Sequence, residues 1–342
     1  MRKRLYAGLA TALLAFSLAC PLVQATEAEP AADNAPTTAQ AVNALPLEAR
    51  AEYAGQFWRL DAAEDGSLPE NFRLSSDAVG TVDGILPETA GLAELHISGS
   101  AQMSQSGMEK LMAQLRQATS GPIYIVDLRQ ETHGYLDGIA VSFYGKRNWG
   151  NIGKKTAAIL AEEKDALAAS QNEPVDIYRL DQHKAPVEPA EISLQPEVTA
   201  TEAEIAAAAG AQYFRITSTD HIWTDPENVD RFIAFYKTLP KDAWLHFHCE
   251  AGKGRTTTYM VLYDILRNGM QVPLADIAAR EYKIGGVDLL QVNSANAAKK
   301  KAPNWKTAFE AERSGMIQLF YQYVRENPDL TLPWSAWLQQ HR

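Results

Sequence analysis

Cysteine is scarce in this chain: two residues in 342. Two thiols cannot staple a disulfide scaffold, nor build a zinc site made mainly of thiolates. Long basic runs are absent too. Acidic side chains outnumber basic ones, 42 to 32, for a formal charge of −10, which argues against an electrostatic nucleic-acid binder. No internal repeat is present, so a solenoid is excluded. What is there is ordinary for a folded protein with a sizeable core: 46% apolar and 22% charged residues. That balance excludes a mainly disordered chain, a collagen and a multi-span membrane protein. The length suggests two typical domains, or one large domain with additions.

The first 25 residues read as an export signal. Arg2, Lys3 and Arg4 make a positive start, Leu5 to Leu18 are almost wholly apolar or small, and Val23-Gln24-Ala25 resembles a cleavage site. The apolar stretch is short for a membrane span. Leu18-Ala19-Cys20 partly resembles a lipobox, but Ser17 stands where an aliphatic residue is usual. A periplasmic or secreted protein is therefore expected, with a lipid anchor through Cys20 as the alternative. Removing three basic residues and no acidic ones takes the net charge from −10 to −13. By either route Cys249 is left without an intramolecular partner. A lone thiol in an oxidising compartment is either buried and inert or there for its chemistry.

Residues 26–44 are rich in Ala, Glu, Thr and Pro and read as a flexible leader. Residues 45–342 form the folded part. Turn signals crowd residues 45–100 (Asp65-Gly66, Asp83-Gly84, Gly99), so small strands and loops are expected there. Helices and strands then alternate. Ser104 can cap a helix carrying Met108, Leu111, Met112 and Leu115, and Ile123 to Leu128 is a buried strand. Thr201 and Glu204 form a capping box, followed by a strand from Tyr213 to Ile216. A helix is predicted over Pro226 to Leu239, a strand over Trp244 to His248 and a helix over Arg255 to Asn268. Such alternation predicts an α/β fold with parallel strands.

One segment is far from bland: His248-Cys249-Glu250-Ala251-Gly252-Lys253-Gly254-Arg255-Thr256, between the last strand and the last of these helices. A Gly-containing turn at a helix N-terminus offers free N–H groups and a dipole that attract an anion. Cys249 and Arg255 can face one bound anion if the loop curls, with the guanidinium taking two oxygens. Such a field favours thiolate over thiol. An anion cradle with a thiolate at its base suits attack on phosphorus. The pattern should arise by chance in fewer than roughly one in 10⁵ chains of this length.

The loop resembles the signature of cysteine-dependent phosphatases, the protein tyrosine phosphatase superfamily. Val126-Asp127-Leu128-Arg129 on to Gly134, Tyr144-Gly145 with Asn148-Trp149, Thr219-Asp220-His221, and Trp334 with Trp337 are similar to bacterial tyrosine-phosphatase-like inositol phosphatases, the cysteine phytases. The resemblance spans most of residues 45–342. It implies a tyrosine-phosphatase-like central sheet flanked by helices, with a small mainly-β subdomain from the N-terminal half. It also implies metal-free, cofactor-free, stepwise hydrolysis of myo-inositol hexakisphosphate. Carried over, Cys249 is the nucleophile, Arg255 holds the transferring phosphoryl group, Thr256 hydrogen-bonds the sulfur and His248 braces the loop. The amides of Glu250, Ala251, Gly252, Lys253 and Gly254 meet phosphoryl oxygens.

The leaving alkoxide needs an acid, and two aspartates compete. Asp225 precedes Pro226 at a helix start; a capping carboxylate is engaged by N–H groups and held ionised, which spoils it as an acid. Asp220 lies in a turn without that task and matches the family's Thr-Asp-His, so it is the expected acid. His221 then contacts substrate phosphate or orients Asp220.

A polyanionic substrate on an acidic protein needs local basic clustering. Lys253 is expected on the cradle's rim. Arg73 and Lys184 resemble family positions that touch distal phosphates. Lys306 and Arg313 lie on one side of the helix following Asn304, where the family carries more basic or tyrosine side chains. Here Glu310 lies between them, which leaves contact by that helix open. Lys299-Lys300-Lys301 reads as a solvated run. Two other functions stay in view: a protein tyrosine or dual-specificity phosphatase, favoured by a narrow aromatic-lined pocket, and a phosphate-binding module with a defunct site. No protein partner is inferable.

Overall fold

The computed structural model describes residues 37–292 and 305–341; the export segment, Cys20, Asn304 and the lysine run lie outside them. Two sheets organise the chain. The first has the order β10 (Gln212–Arg215), β4 (Ile123–Asp127), β11 (Trp244–His248), β3 (Ile97–Ser100), β2 (Arg73–Leu74). Its first four strands are parallel and β2 is antiparallel to β3. The second has the order β8 (Ile192–Leu194), β7 (Val175–Tyr178), β1 (Phe57–Ala62), β6 (Ile139–Tyr144), β5 (His133–Leu136), β9 (Thr199–Ala200) and is mostly antiparallel. This β-rich part draws strands from as far along as Ala200, beyond the N-terminal half expected to supply it.

The two-residue period of the central strands splits the core. Val126, Leu128, Leu245 and Phe247 pack with α7 (Gly254–Asn268), around which lie α6 (Pro226–Thr238), α8 (Leu274–Lys283), α9 (Thr307–Glu326) and α10 (Trp334–His341). Ile123, Ile125 and Trp244 face the other way, onto α3 (Gln105–Ala118) and α5 (Glu202–Ala208). Arg255 to Ile265 of α7 are all buried, as befits a helix covered on every side. The second sheet has its own cluster, Trp58, Leu136, Val141 and Ile177, closed by Leu167 of α4 (Thr156–Ser170). Towards the carboxyl ends of the first sheet, the α5 face turns polar: Asp127, His246 and His248 are fully buried there. The carboxyl ends of parallel strands are where α/β sheets bind ligands.

Part of the expected leader is ordered. Residues 38–43 form α1 (Thr38–Asn43), started by a Thr37–Gln40 capping box, and α2 (Leu47–Arg50) follows. Ala39 is buried with Trp149, Ile152 and Ile222, and the Asn43 amide donates to Asp225 Oδ2 at 2.8 Å. Asn43 Oδ1 also accepts from Gly153 N–H and Glu312 Oε1 from Thr38 N–H, each at 2.8 Å, so a small apolar side chain and three long-range hydrogen bonds anchor a segment whose composition alone reads as loose.

Candidate active site

Strand β11 ends at His248 and delivers Cys249, the chain turns over Glu250–Lys253, and α7 begins at Gly254. Gly252 has φ +68°, and a Cβ there would lie 2.3 Å from Ala101 N, so the turn demands glycine. Cys249 is buried and free, and the Thr256 hydroxyl donates to its Sγ at 3.3 Å. The loop's carbonyls are turned onto donors behind it. Gln102 N–H donates to Glu250 O at 3.0 Å, Asn71 Nδ2 to Ala251 O at 3.0 Å, and Arg73 Nη1 to Gly252 O at 2.9 Å. That arrangement presents loop N–H groups to the cavity at the start of a helix, an anion cradle.

Arg73 is thus not at the mouth. It is buried under the loop, with Nη2 also donating to Thr257 Oγ1 at 3.2 Å; the expectation that it touches distal phosphates is corrected, because β2 runs beneath the loop rather than over it. Lys184 is corrected as well. It sits exposed, at φ +66°, in the turn between β7 and β8 and is not among the cavity's lining residues. Lys306 and Arg313, by contrast, line the cavity together with Cys249, Lys253, Arg255, Asp220 and His221, and so does Glu310. The cavity measures about 530 Å³, and Tyr282 is its aromatic wall.

Arg255 points along the cradle. Glu131 takes both ends of its fork, Oε2 to Nη1 at 2.7 Å and Oε1 to Nη2 at 2.8 Å, and Asp220 Oδ1 lies 3.3 Å from its Nε. Asp220 is held from several sides: Asn148 Nδ2 donates to Oδ2 at 2.8 Å, His221 N–H to Oδ1 at 2.9 Å, and Trp149 Nε1 to its carbonyl at 2.9 Å. Burial opposes ionisation of Asp220, but Arg255 and His221 outweigh it and hold the carboxyl below its usual range. Burial pushes the His221 imidazolium down, against the pull of Asp220.

Asp225 departs from expectation. It starts α6 through its backbone, yet its carboxyl makes no capping hydrogen bond. It accepts from Asn43 instead, and burial pushes it up to about 6. A raised carboxyl suits an acid, so titration and position point to different aspartates. Position decides, because Asp220 lines the cavity with Cys249 and Asp225 does not.

His248 is fully buried, with Nε2 2.8 Å from Glu202 Oε1. Asp127, Glu202 and His248 bring ligand atoms within 4.8 Å of one another, a geometry that could hold a cation. Side-chain cations already serve that role. His133 Nε2 lies 3.2 Å from Asp127 and 3.1 Å from Glu202, and Arg215 Nε is 3.2 Å from Asp127. Burial works against the charge on His133, yet Asp127 raises it to about 9.

Reading the sequence residue by residue missed Glu131, Gln102, Asn148 and Glu202 as parts of the site. A signal for the first was there: Asp127, Arg129, Glu131 and His133 carry ionisable groups at every second position after an apolar strand. That spacing puts them on one face of extended backbone.

A family model for PTP-like phytases, described by inositol hexakisphosphate, matches residues 126–267, from β4 through the loop to the last turn of α7. The tandemly repeated protein tyrosine phosphatase-like phytase of Mitsuokella multacida is 40% identical, with a TM-score of 0.77 over 84% of this chain and 49% of that one. Over most of its length the chain is similar to PTP-like phytases. A second M. multacida structure, 40% identical with a TM-score of 0.78, is of a PTP-like myo-inositol phosphatase in complex with myo-inositol-(1,3,4,5)-tetrakisphosphate. A PTP-like phytase from Bdellovibrio bacteriovorus is 28% identical, with a TM-score of 0.65 over 84% of this chain and 96% of that one. Effector protein hopD2 of Pseudomonas syringae pv. tomato is 28% identical over 73% of this chain and 53% of its own length. The chain thus spans about half the length of the first relatives it matches. The expected α/β fold is in place. Among the described residues no helix is long and apolar enough to cross a membrane.

Proposed function

We propose that this chain hydrolyses phosphate monoesters of myo-inositol hexakisphosphate and lower inositol phosphates through a phosphocysteine intermediate. The observation that carries the reading is one cavity holding Cys249, Arg255 and Asp220 at its base with Lys253, Lys306, Arg313 and His221 around them. In the first step Cys249 Sγ attacks phosphorus in line, Arg255 and the loop amides take the equatorial oxygens, and the P–O bond to the inositol breaks. The alkoxide takes its proton from Asp220. In the second step water attacks the phosphocysteine and gives a proton to the Asp220 carboxylate, and the S–P bond breaks with Thr256 donating to the departing sulfur. At rest Asp220 is held ionised by Arg255. A phosphate group arriving on Arg255 competes for that contact and adds negative charge, and both effects raise the proton affinity of Asp220.

A tyrosine-phosphatase reading needs a slot that grips a flat ring. The cavity is broad at about 530 Å³, with cations outnumbering its single tyrosine, and the complex of the M. multacida relative holds an inositol phosphate. Purified protein should release phosphate from inositol hexakisphosphate faster than from a phosphotyrosyl peptide; the reverse preference overturns the substrate class. Cys249→Ser should abolish turnover and keep binding, since the cradle remains and serine is a poor nucleophile without a base. Turnover within about tenfold of the parent sinks the phosphocysteine route. The reading includes export to the periplasm or medium, supported by Arg2–Arg4, the apolar Leu5–Leu18 and Val23-Gln24-Ala25. Fractionation and N-terminal sequencing test it: a mature chain starting at Thr26 is expected, and an uncleaved cytoplasmic product contradicts it.

A further inference from the structure

The turn before Trp149 carries an unusual backbone. Arg147 and Asn148 follow one another at φ +62° and +60°, a left-handed conformation that non-glycine residues adopt at a cost. Asn148 is buried, with 6% of its surface exposed. Its amide is spanned between opposite charges: Oδ1 accepts from Arg59 Nη1 at 3.1 Å, and Nδ2 donates to Asp220 Oδ2 at 2.8 Å. A flipped amide would set its oxygen against a carboxylate and its NH₂ against a guanidinium, so the orientation is dictated by chemistry. Arg59 is fixed in turn, its Nε donating to Asp61 at 2.8 Å and its guanidinium lying over the Tyr144 ring at 5.2 Å.

We infer that Asn148 is a positioning residue that holds the carboxyl of Asp220 in place over the cradle, where it meets the leaving group. The inference rests on the reading of Asp220 as the acid. Nδ2–H holds Oδ2, while Oδ1 accepts from the His221 N–H at 2.9 Å and lies 3.3 Å from the Nε of Arg255, where the phosphoryl group is received. When the leaving oxygen departs, the carboxyl O–H bond of Asp220 breaks, the proton joins the alkoxide, and the electron pair stays on the carboxylate that Asn148 continues to hold. The charged groups facing Asp220 are Arg255, His221, Arg313, Glu250 and, through the amide, Arg59, with Glu131 behind Arg255. The left-handed backbone is then the cost of aiming one N–H at one lone pair.

Leaving-group dependence is the readout a merely structural role does not move. Asn148→Gly removes the amide and eases the left-handed turn. It should lower kcat about tenfold or more for alkoxide leaving groups and less than about threefold for p-nitrophenyl phosphate, with KM changing little. The alkoxide arm is run on both inositol hexakisphosphate and a simple alkyl phosphate. A protein that ignores inositol phosphates overturns the proposed substrate while the alkyl arm still reads Asn148. Equal losses on alkyl and p-nitrophenyl substrates overturn the inference. Should the Gly variant fail to fold by circular dichroism, Asn148→Asp decides. Its added charge beside Asp220 should carry the alkaline limb of kcat for the alkyl phosphate to higher pH, because the acid keeps its proton longer. An unmoved limb overturns the inference.

Discussion

Glu131 and Arg255 meet as a closed fork, the two carboxylate oxygens 2.7 and 2.8 Å from the two terminal guanidinium nitrogens. Both side chains are buried, so the pair fixes the plane in which Arg255 presents its remaining N–H groups to the cavity. Arg129 holds Glu131 from behind at 3.0 Å and reaches Gln102 at 2.7 Å. Gln102 in turn donates to Glu202, the partner of His248. One buried chain therefore braces both ends of the loop, the Cys249 end through His248 and the Arg255 end through Glu131.

Glu131→Gln should reduce kcat/KM by roughly 10- to 100-fold, the scale of 1.4 to 2.8 kcal/mol for a misdirected charge contact. It should also destabilise the fold, because Arg255 and Arg129 lose a buried counter-charge. Burial opposes the charge on Glu131, but Arg255 and Arg129 outweigh it and hold the carboxyl well below the usual carboxylate range. A folded-state pKa below the unfolded value of about 4.3 gives stability that is complete above that pH and is lost as pH falls towards the folded value. The melting temperatures of parent and variant should converge below about pH 4. A gap that stays constant with pH contradicts the electrostatic account.

The two aspartates separate in two assays. Asp220→Asn should cut turnover of inositol phosphates by roughly 10² to 10⁴, with a smaller loss on p-nitrophenyl phosphate, whose phenolate needs its proton less. Asp225→Asn should leave turnover almost intact and alter stability instead. With its carboxyl pushed up to about 6, Asp225 binds a proton more tightly folded than unfolded. Its ionisation therefore lowers stability as pH rises from about 4 through 6. The asparagine variant should lack that decline; exchanged behaviours mean that the acid is misassigned.

The legible part of the site is the part that is local in sequence. Residues 248–256 carry their chemistry within one turn, so thiol, guanidinium and glycines declare each other, and Asp220 shows itself as a carboxylate following a strand without a cap to make. The rest is assembled across the fold. Glu131 reaches Arg255 over 124 positions and Asn148 reaches Asp220 over 72, separations at which no periodicity speaks. Arg73 shows the converse. Its resemblance to family positions that touch distal phosphates points to the cavity mouth, whereas β2 tucks it under the loop to hold Gly252. Central strands and helices were readable because their apolar periods are strong. The strands of the second sheet after residue 130 were not, because they are short, β5, β7, β8 and β9 each being four residues or fewer, and β5 opens on a buried histidine, His133.

Chelation should leave the enzyme working. The carboxylates of Asp127 and Glu202 lie beside His133, and Arg215 also contacts Asp127, so their charge is offset without an ion. Phosphate release in excess EDTA should stay within about twofold of the untreated rate, well below the loss expected when a reacting group is removed. A loss restored by one divalent metal points to Asp127, Glu202 and His248 as its ligands and overturns the reading of this cluster as a purely ionic brace.

Lys253 tests substrate class rather than chemistry. It lines the cavity beside the cradle, and among the described residues its Nζ makes one hydrogen bond, a long one of 3.4 Å to Gly285 O, so its ammonium is available to phosphates that are not being transferred. In Lys253→Met the stem remains and the charge goes. A rim contact of this kind is worth about 1 to 3 kcal/mol, or roughly five- to 150-fold in kcat/KM. A polyphosphate feels that loss and a monophosphate hardly does, so kcat/KM for inositol hexakisphosphate should fall much more than for a phosphotyrosyl peptide. Added salt should shrink the difference, because an open cavity mouth is screened. Equal losses on the two substrates mean that Lys253 supports the loop itself, and its place among the substrate contacts then falls.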